Sequence, residues 1–193
     1  MAALGLLASS SFAPASRPDR PPAVHANRLK QGDIVFRSGR GWRADAVRLA
    51  GDAPWSHVGI LVGEPRAGWK VIHAAPPEGA SPGGVLTTPL AEFADRSNSR
   101  QVAVYRYVSR DAAKAAAAAA AAQRTAGARI AFDESFDLNS GQSLYCTELV
   151  LRVFAEAGTD LRAVPSRVSV GGLGAEILLP EDLLKSGELI RVD

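Results

Sequence analysis

From Leu29 onward the apolar positions fall into short β-like runs separated by glycine and proline, interrupted by two longer helical stretches. Gly32-Asp33 signals a turn, and Ile34-Val35-Phe36 after it predicts a short buried strand. Ala44 to Ala50, with Ala46, Val47 and Leu49, predicts a brief helix stopped by Gly51. The run Ser56 to Gly63 is apolar and β-branched and predicts a strand; Trp69 to Ala74 predicts another, across a turn at Glu64 to Gly68. Pro76 to Gly84 reads as a loop, Val85-Leu86-Thr87 as a short strand, and Pro89 opens a helical turn to Ala94. Gln101 to Val108 alternates as a strand. Asp111 is placed to cap a helix built on the alanine run Ala115 to Ala122 and closed by Gly127, a segment of strong helix propensity and no chemistry. A polar, acidic loop from Phe132 to Ser143 precedes a second long helix, Leu144 to Ala157, whose Leu149, Val150, Val153, Phe154 and Ala157 recur at helical spacing. Gly171 to Gly174 reads as a flexible loop, Pro180 to Leu184 as a last short helix and Glu188 to Val192 as a final strand. Antiparallel strands with separate helices give an α+β domain.

Composition adds limits. The 193 residues suit one domain with one core. A formal charge of +2 without a block of like charges gives no nucleic-acid footprint. No apolar run approaches the roughly 20 residues that a membrane-spanning helix needs. Residues 1–28 read as a leader and linker, and the folded domain is assigned to residues 29–193. Ala2 to Ala13 is small and apolar, and Ala13-Pro14-Ala15 offers a small-x-small cleavage site, but no Lys or Arg precedes Arg17. Two readings stand side by side: an export signal leading to the periplasm or cell envelope, or a disordered leader on a cytoplasmic protein.

A single cysteine, Cys146, excludes an intramolecular disulfide. It falls in the first turn of the predicted helix, where free N–H groups and the helix dipole favour a thiolate. On the helix wheel it shares a face with Leu149, Val150 and Val153, which aims the sulfur at the sheet. Taken alone, such a cysteine is better accounted for as a buried core thiol. Of three histidines, His25 lies in the linker, while His57 and His73 lie in adjacent predicted strands. A five-residue loop from Gly63 to Ala67 would set Val62 opposite Gly68 and His57 opposite His73. Two imidazoles would then sit side by side, one as base and the other orienting it. The same three residues could instead ligate zinc, but no C-x-x-C or H-x-x-x-H spacing supports a metal, and no cofactor is implied. Glu148 is expected to face away from the sulfur, solvated or paired; Asp33 reads as a turn residue, and Asp133 and Asp137 as organisers of the acidic loop. The glycines from Gly171 to Gly174 lack the lysine and helix of a phosphate loop.

GDIVF (Gly32 to Phe36), WSHVGILVG (Trp55 to Gly63), VIHA (Val71 to Ala74), FDESFDL (Phe132 to Leu138), YCTELV (Tyr145 to Val150) and PEDLL near the C-terminus together resemble the permuted papain-like amidases of the YaeF/YiiX type. That family is similar to NlpC-type cell-wall peptidases and to lecithin–retinol acyltransferase-like enzymes. The resemblance spans Leu29 to Val192 and implies a circularly permuted papain-like (NlpC-type) fold, an antiparallel sheet packed against helices. It also implies Cys146 as nucleophile, His57 as base and His73 as the third polar residue. YiiX-type relatives often carry an acidic residue near that third position, whereas the acyltransferase branch uses histidine.

The resulting expectation is a cysteine hydrolase, an amidase or peptidase with a Cys-His-His site. It would cleave a peptide or lipid-like amide or ester through a thioacyl intermediate, with a thiolate–imidazolium pair as one possible resting form. An acyltransferase of the same fold, in which a lipid or amine resolves the intermediate, is a second expectation. A non-catalytic cell-envelope binding module is a third. Cell-wall peptides enter as substrates through the family analogy alone. Nothing in the sequence sets the acyl group or the oligomeric state.

Overall fold

The computed structural model describes residues 26–108, 112–170 and 173–193. In chain order its elements are β1 (Ile34–Gly39), α1 (Trp42–Gly51), β2 (His57–Glu64), β3 (Gly68–Ala75), β4 (Gly84–Pro89), α2 (Leu90–Phe93), β5 (Ser99–Tyr107) and α3 (Ala112–Gly127). There follow β6 (Ala131–Phe132), β7 (Ser143–Leu144), α4 (Cys146–Glu156), β8 (Ser166–Val170), β9 (Leu173–Ile177), α5 (Pro180–Lys185) and β10 (Leu189–Arg191). Six strands form one sheet in the order β10-β5-β1-β2-β3-β4, and every pairing in it is antiparallel. This is the α+β layout expected from the patterning. His25, the leader up to that residue, Asp111, and Gly171 with Gly172 lie outside the described residues.

Alternation along the strands sorts side chains onto two faces. Phe36 of β1, Val58 and Ile60 of β2, and Ile72 of β3 join α3 and α4 in the larger core. Their neighbours Val35, Leu61 and Val71 join Leu29 and Phe93 in a smaller core on the opposite face. The alanine run explains how α3 fits: Ala118, Ala119, Ala121 and Ala122 are all fully buried, their small side chains lying against the larger core. On α4, Leu149, Val150, Val153 and Phe154 are also fully buried, as their helical spacing predicts.

One buried ion pair pins the sheet. Asp33, in the turn before β1, is fully buried, and Arg106 of β5 donates to both its carboxylate oxygens at 2.7 and 2.8 Å. Lys30 N–H adds a third bond at 2.8 Å. Asp133 organises the acidic loop as expected, accepting the N–H groups of Ser135 and Asp137 at 2.9 and 3.0 Å. The sequence pattern does not foresee the small antiparallel hairpin of β8 and β9, or the parallel pairing of β6 with β7.

The β2–β3 hairpin departs from its expected register. Ile60 pairs with Ile72 and Glu64 with Gly68, so the turn holds only Pro65, Arg66 and Ala67. Two glycines account for the tighter turn. Gly63 and Gly68 adopt φ of 109° and 89°, and a Cβ on Gly63 would come within 2.4 Å of the Gly68 carbonyl oxygen. Along this register His73 falls opposite Gly59, and His57 lies two residues beyond. An even offset preserves the pleat phase, so both histidines stay on one face.

Candidate thiol–imidazole site

Cys146 is the first residue of α4. Tyr145 before it has extended backbone and caps the helix, and its N–H donates back to the Glu148 carboxylate at 3.4 Å. The helix start is also tied to the segment leading into α5. Leu178 N–H donates to the Tyr145 hydroxyl at 3.3 Å, and the Thr147 hydroxyl donates to the Leu178 carbonyl at 2.6 Å. The nucleophile candidate is therefore fixed at its N-cap and at the next residue along. Of the two expectations for Glu148, solvated or paired, the capping bond to Tyr145 fits the second. Glu148 is buried, and burial, outweighing the Tyr145 N–H, raises its pKa to about 7.

Cys146 packs against the larger core and keeps some exposure. Burial of its sulfur pushes the thiol up to about 11. Backbone N–H groups of Val58, Thr147 and Cys146 itself, and the charge on Arg37, act in the opposite direction. The Val58 contact follows from the strand geometry. Pairing of β2 with β3 ends at Ile60 and Ile72, although both strands run on toward His57 and Ala75. Where the strands part, the Val58 N–H serves the sulfur instead of the ladder.

His57 and His73 project from the other face, over Phe93 of α2. His57 stacks on that ring at 5.7 Å and His73 meets it edge-on at 5.1 Å. Their own rings are perpendicular at 89°, with His57 Nε2 and His73 Nδ1 2.8 Å apart. His73 Nε2 lies 2.9 Å from the Thr88 hydroxyl of β4. Burial, with Arg37 and His73 adding smaller effects, holds His57 well below its ordinary value. Burial and then Arg37 hold His73 at about 3. Neutral imidazoles and a neutral thiol are the forms these surroundings favour, rather than the ion pair considered from the sequence. No hydrogen bond joins Cys146 to either imidazole among the described residues; the link between the two halves is the β2 backbone at Val58.

Sequence reasoning missed Arg37, Thr88 and Phe93. Arg37 follows the predicted first strand and stands opposite His57 once β1 and β2 are paired; that pairing was the signal. Thr88 lies one residue past the predicted end of its strand. Phe93 gives no chemical signal at all.

A cysteine-led helix laid on an antiparallel sheet that carries its histidines earlier in the chain is a papain-like arrangement in permuted order. A family model described as "Permuted papain-like amidase enzyme, YaeF/YiiX, C92 family" matches residues 28–189. The chain belongs to this family of permuted papain-like amidases. Among solved structures it is similar to the crystal structure of metalloprotein yiiX from Escherichia coli O157:H7, with 22% identity, a TM-score of 0.69, and coverage of 86% of this chain and 97% of that one. At that identity the likeness concerns the fold. No curated protein matches the sequence. Among the described residues of this chain, no three His, Cys, Asp or Glu side chains come together as a metal site. Nor is any described helix long and apolar enough to cross a membrane.

Proposed function

We propose that the protein hydrolyses an amide or ester carbonyl of a peptide or lipid-like substrate, with Cys146 as nucleophile, His57 as base and His73 as its orienting partner. The observation that carries this reading is the 2.8 Å contact between His57 Nε2 and His73 Nδ1, in a chain whose one cysteine starts a helix. It engages Nε2 of His57, so in this reading Nδ1 is the nitrogen assigned to the thiol. For Nδ1 to be basic, Nε2 must carry the proton and donate to His73 Nδ1. His73 then donates through its own Nε2 to the Thr88 hydroxyl. One tautomer satisfies every contact in the chain.

From the neutral resting pair, Nδ1 takes the thiol proton as sulfur attacks the carbonyl carbon. Negative charge develops beside the N–H groups of Val58, Cys146 and Thr147 and the start of α4. The tetrahedral adduct collapses to a thioester, and the proton on His57 passes to the leaving amine or alcohol. Water, deprotonated by the same nitrogen, then releases the acid and restores the thiol. An exported location would bring cell-wall peptides within reach.

Cys146→Ala is expected to lower turnover of a chromogenic ester or a peptidoglycan-type peptide by roughly four orders of magnitude or more. Wild-type rates in that variant would refute the reading. Adding amine or lysophospholipid acceptors to the assay separates hydrolysis from acyl transfer, since only a transferase converts them to acylated product.

A further inference from the structure

Helix α1 is amphipathic in the reverse sense. Trp42, Ala46, Leu49 and Ala50 share about 100° of its circumference. All four are exposed, Trp42 by 74% and Leu49 by 85%. The opposite side, with Ala44, Val47, Arg48 and Gly51, is half-buried. Arg48 is turned inward, its side chain only 16% exposed, and Nη1 donates to the Gly39 carbonyl at 2.8 Å. A surface helix ordinarily turns its apolar stripe to the core and its charges to water. α1 does the contrary, and no described residue covers the stripe. Single exposed apolar side chains are ordinary, but an indole and a leucine aligned two turns apart mark a contact surface.

The border of the stripe is basic. The Arg43 guanidinium lies over the Trp42 ring, 5.2 Å from its centroid. Arg43 and Arg40 are exposed and form no ion pair among the described residues. Arg100 lies 3.3 Å from Asp45, a carboxylate that also serves Arg48. Four arginines thus stand on or beside the helix against two carboxylates, Asp45 and Asp52 at the C-terminal cap. Apolar groups edged by arginine fit a boundary that is apolar beneath and anionic on top. A second copy of the chain fits less well, because a twofold contact would bring the same arginines face to face.

We propose that α1 is an interfacial docking helix, which lays the Trp42–Leu49 stripe into the headgroup boundary of an anionic lipid surface and sets Arg40, Arg43 and Arg100 on the headgroups. Its place in the fold gives such docking a use. A Cβ on Gly39 would meet the Ala44 methyl at 3.3 Å, and the Gly39 N–H donates at 2.8 Å to the hydroxyl of Ser56, the residue before His57. At the other end a Cβ on Gly51 would lie 3.4 Å from Leu179. Leu179 follows Leu178, which is bonded to Tyr145 and Thr147 on either side of Cys146. A lipid surface held by α1 therefore adjoins both the start of β2 and the segment that fixes the start of α4. Docking itself does not depend on the hydrolase reading; taken with it, docking narrows the substrate to a lipid-like ester or amide.

The experiment sediments the full chain with vesicles of phosphatidylcholine alone, or of equal parts phosphatidylcholine and phosphatidylglycerol. Wild type is expected to prefer the mixed vesicles, and added salt to reduce that preference. Trp42→Ala combined with Leu49→Ser is expected to weaken partitioning by about 10-fold or more, and Arg43→Gln by about fivefold. Trp42 emission is expected to move to the blue on the mixed vesicles, whereas Trp42→Phe binds but loses most of the shift. All three positions are exposed, and urea unfolding of each variant checks that the fold is kept. Wild type left in the supernatant, or binding that survives the double substitution, would overturn the proposal. So would a concentration-dependent dimer that the double substitution abolishes, since the stripe would then belong to a second copy. None of these readouts measures turnover, so they stand or fail apart from the Cys146→Ala test.

Discussion

Gly59 sits directly opposite His73 across the β2–β3 hairpin, on the face that carries both imidazoles. A methyl group there would lie 2.5 Å from Val71 Cγ1, 2.8 Å from the Ile72 carbonyl oxygen and 2.9 Å from His73 Cβ. Two of those neighbours are a backbone atom and a β-carbon, so no rotamer change relieves the contact. To reach ordinary contact at 3.4 Å the Ile72 oxygen must retreat by about 0.6 Å. Overpacking of this kind costs about 1–3 kcal/mol. The His57–His73 contact, 2.8 Å at rest, would stretch by a similar amount, past the range of a good hydrogen bond. A misplacement approaching 1 Å near a reacting group costs on the order of 10²-fold. Gly59→Ala is therefore expected to lower kcat/KM by about 10- to 100-fold, with a fall of about 1–3 kcal/mol in urea-unfolding stability. The decisive comparison is a double-mutant cycle with His73→Ala. If Gly59 acts through His73, the alanine adds less than about threefold once that ring is gone. Equal losses in both backgrounds would show that Gly59 serves the sheet and not the histidine pair.

Two further predictions concern stability. Arg106→Met leaves the fully buried Asp33 carboxylate with only the Lys30 N–H, and urea unfolding is expected to show a loss of about 3–5 kcal/mol; a loss below about 1 kcal/mol, the value of an exposed pair, would mean that Asp33 is solvated. Burial holds His73 at about 3 in the fold, against its ordinary 6.5. The unfolded chain thus binds a proton the native state refuses, and this contribution is whole above pH 6.5 and declines as pH falls toward 3. Glu148, raised to about 7 from 4.5, works in the opposite sense, costing stability as pH rises through that interval. Replacing His73 by Gln should therefore flatten the loss of stability between pH 6.5 and 4 by about one bound proton, measured by urea unfolding at several pH values; an unchanged slope would place a charged imidazole in the native state.

Most of the sheet was legible because its strands are short apolar runs bounded by glycine and proline, and α4 because its apolar residues keep helical spacing. The register of the hairpin was not, since it depended on glycines at both ends of the turn taking left-handed backbone. Its even offset nevertheless left His57 and His73 on one face, which is why the pairing survived the error in register. For Glu148 helical phase left solvation and pairing both open, and only the capping bond to Tyr145 decides for pairing. β8 and β9 escaped notice because Ser166 and Arg167 interrupt any apolar run there, and Ser166 is held by Asp182 through bonds to its N–H and hydroxyl. Arg37 went unread because its value lies in which strand stands beside it.

The site is also divided in time. Arg37, His57, His73 and Thr88 come from four strands consecutive in the chain, and Phe93 follows directly after them. Near-neighbour pairings of this kind form ahead of distant ones. Cys146 comes from a helix much later in the chain and must dock onto a surface already assembled. Before docking, its thiol has the acidity of a free cysteine and is open to peroxide and to stray disulfide exchange. Docking raises it to about 11 and withdraws it from that chemistry. The fold thereby lowers the thiolate share of its only thiol, and reactivity returns when a carbonyl is brought within reach of it.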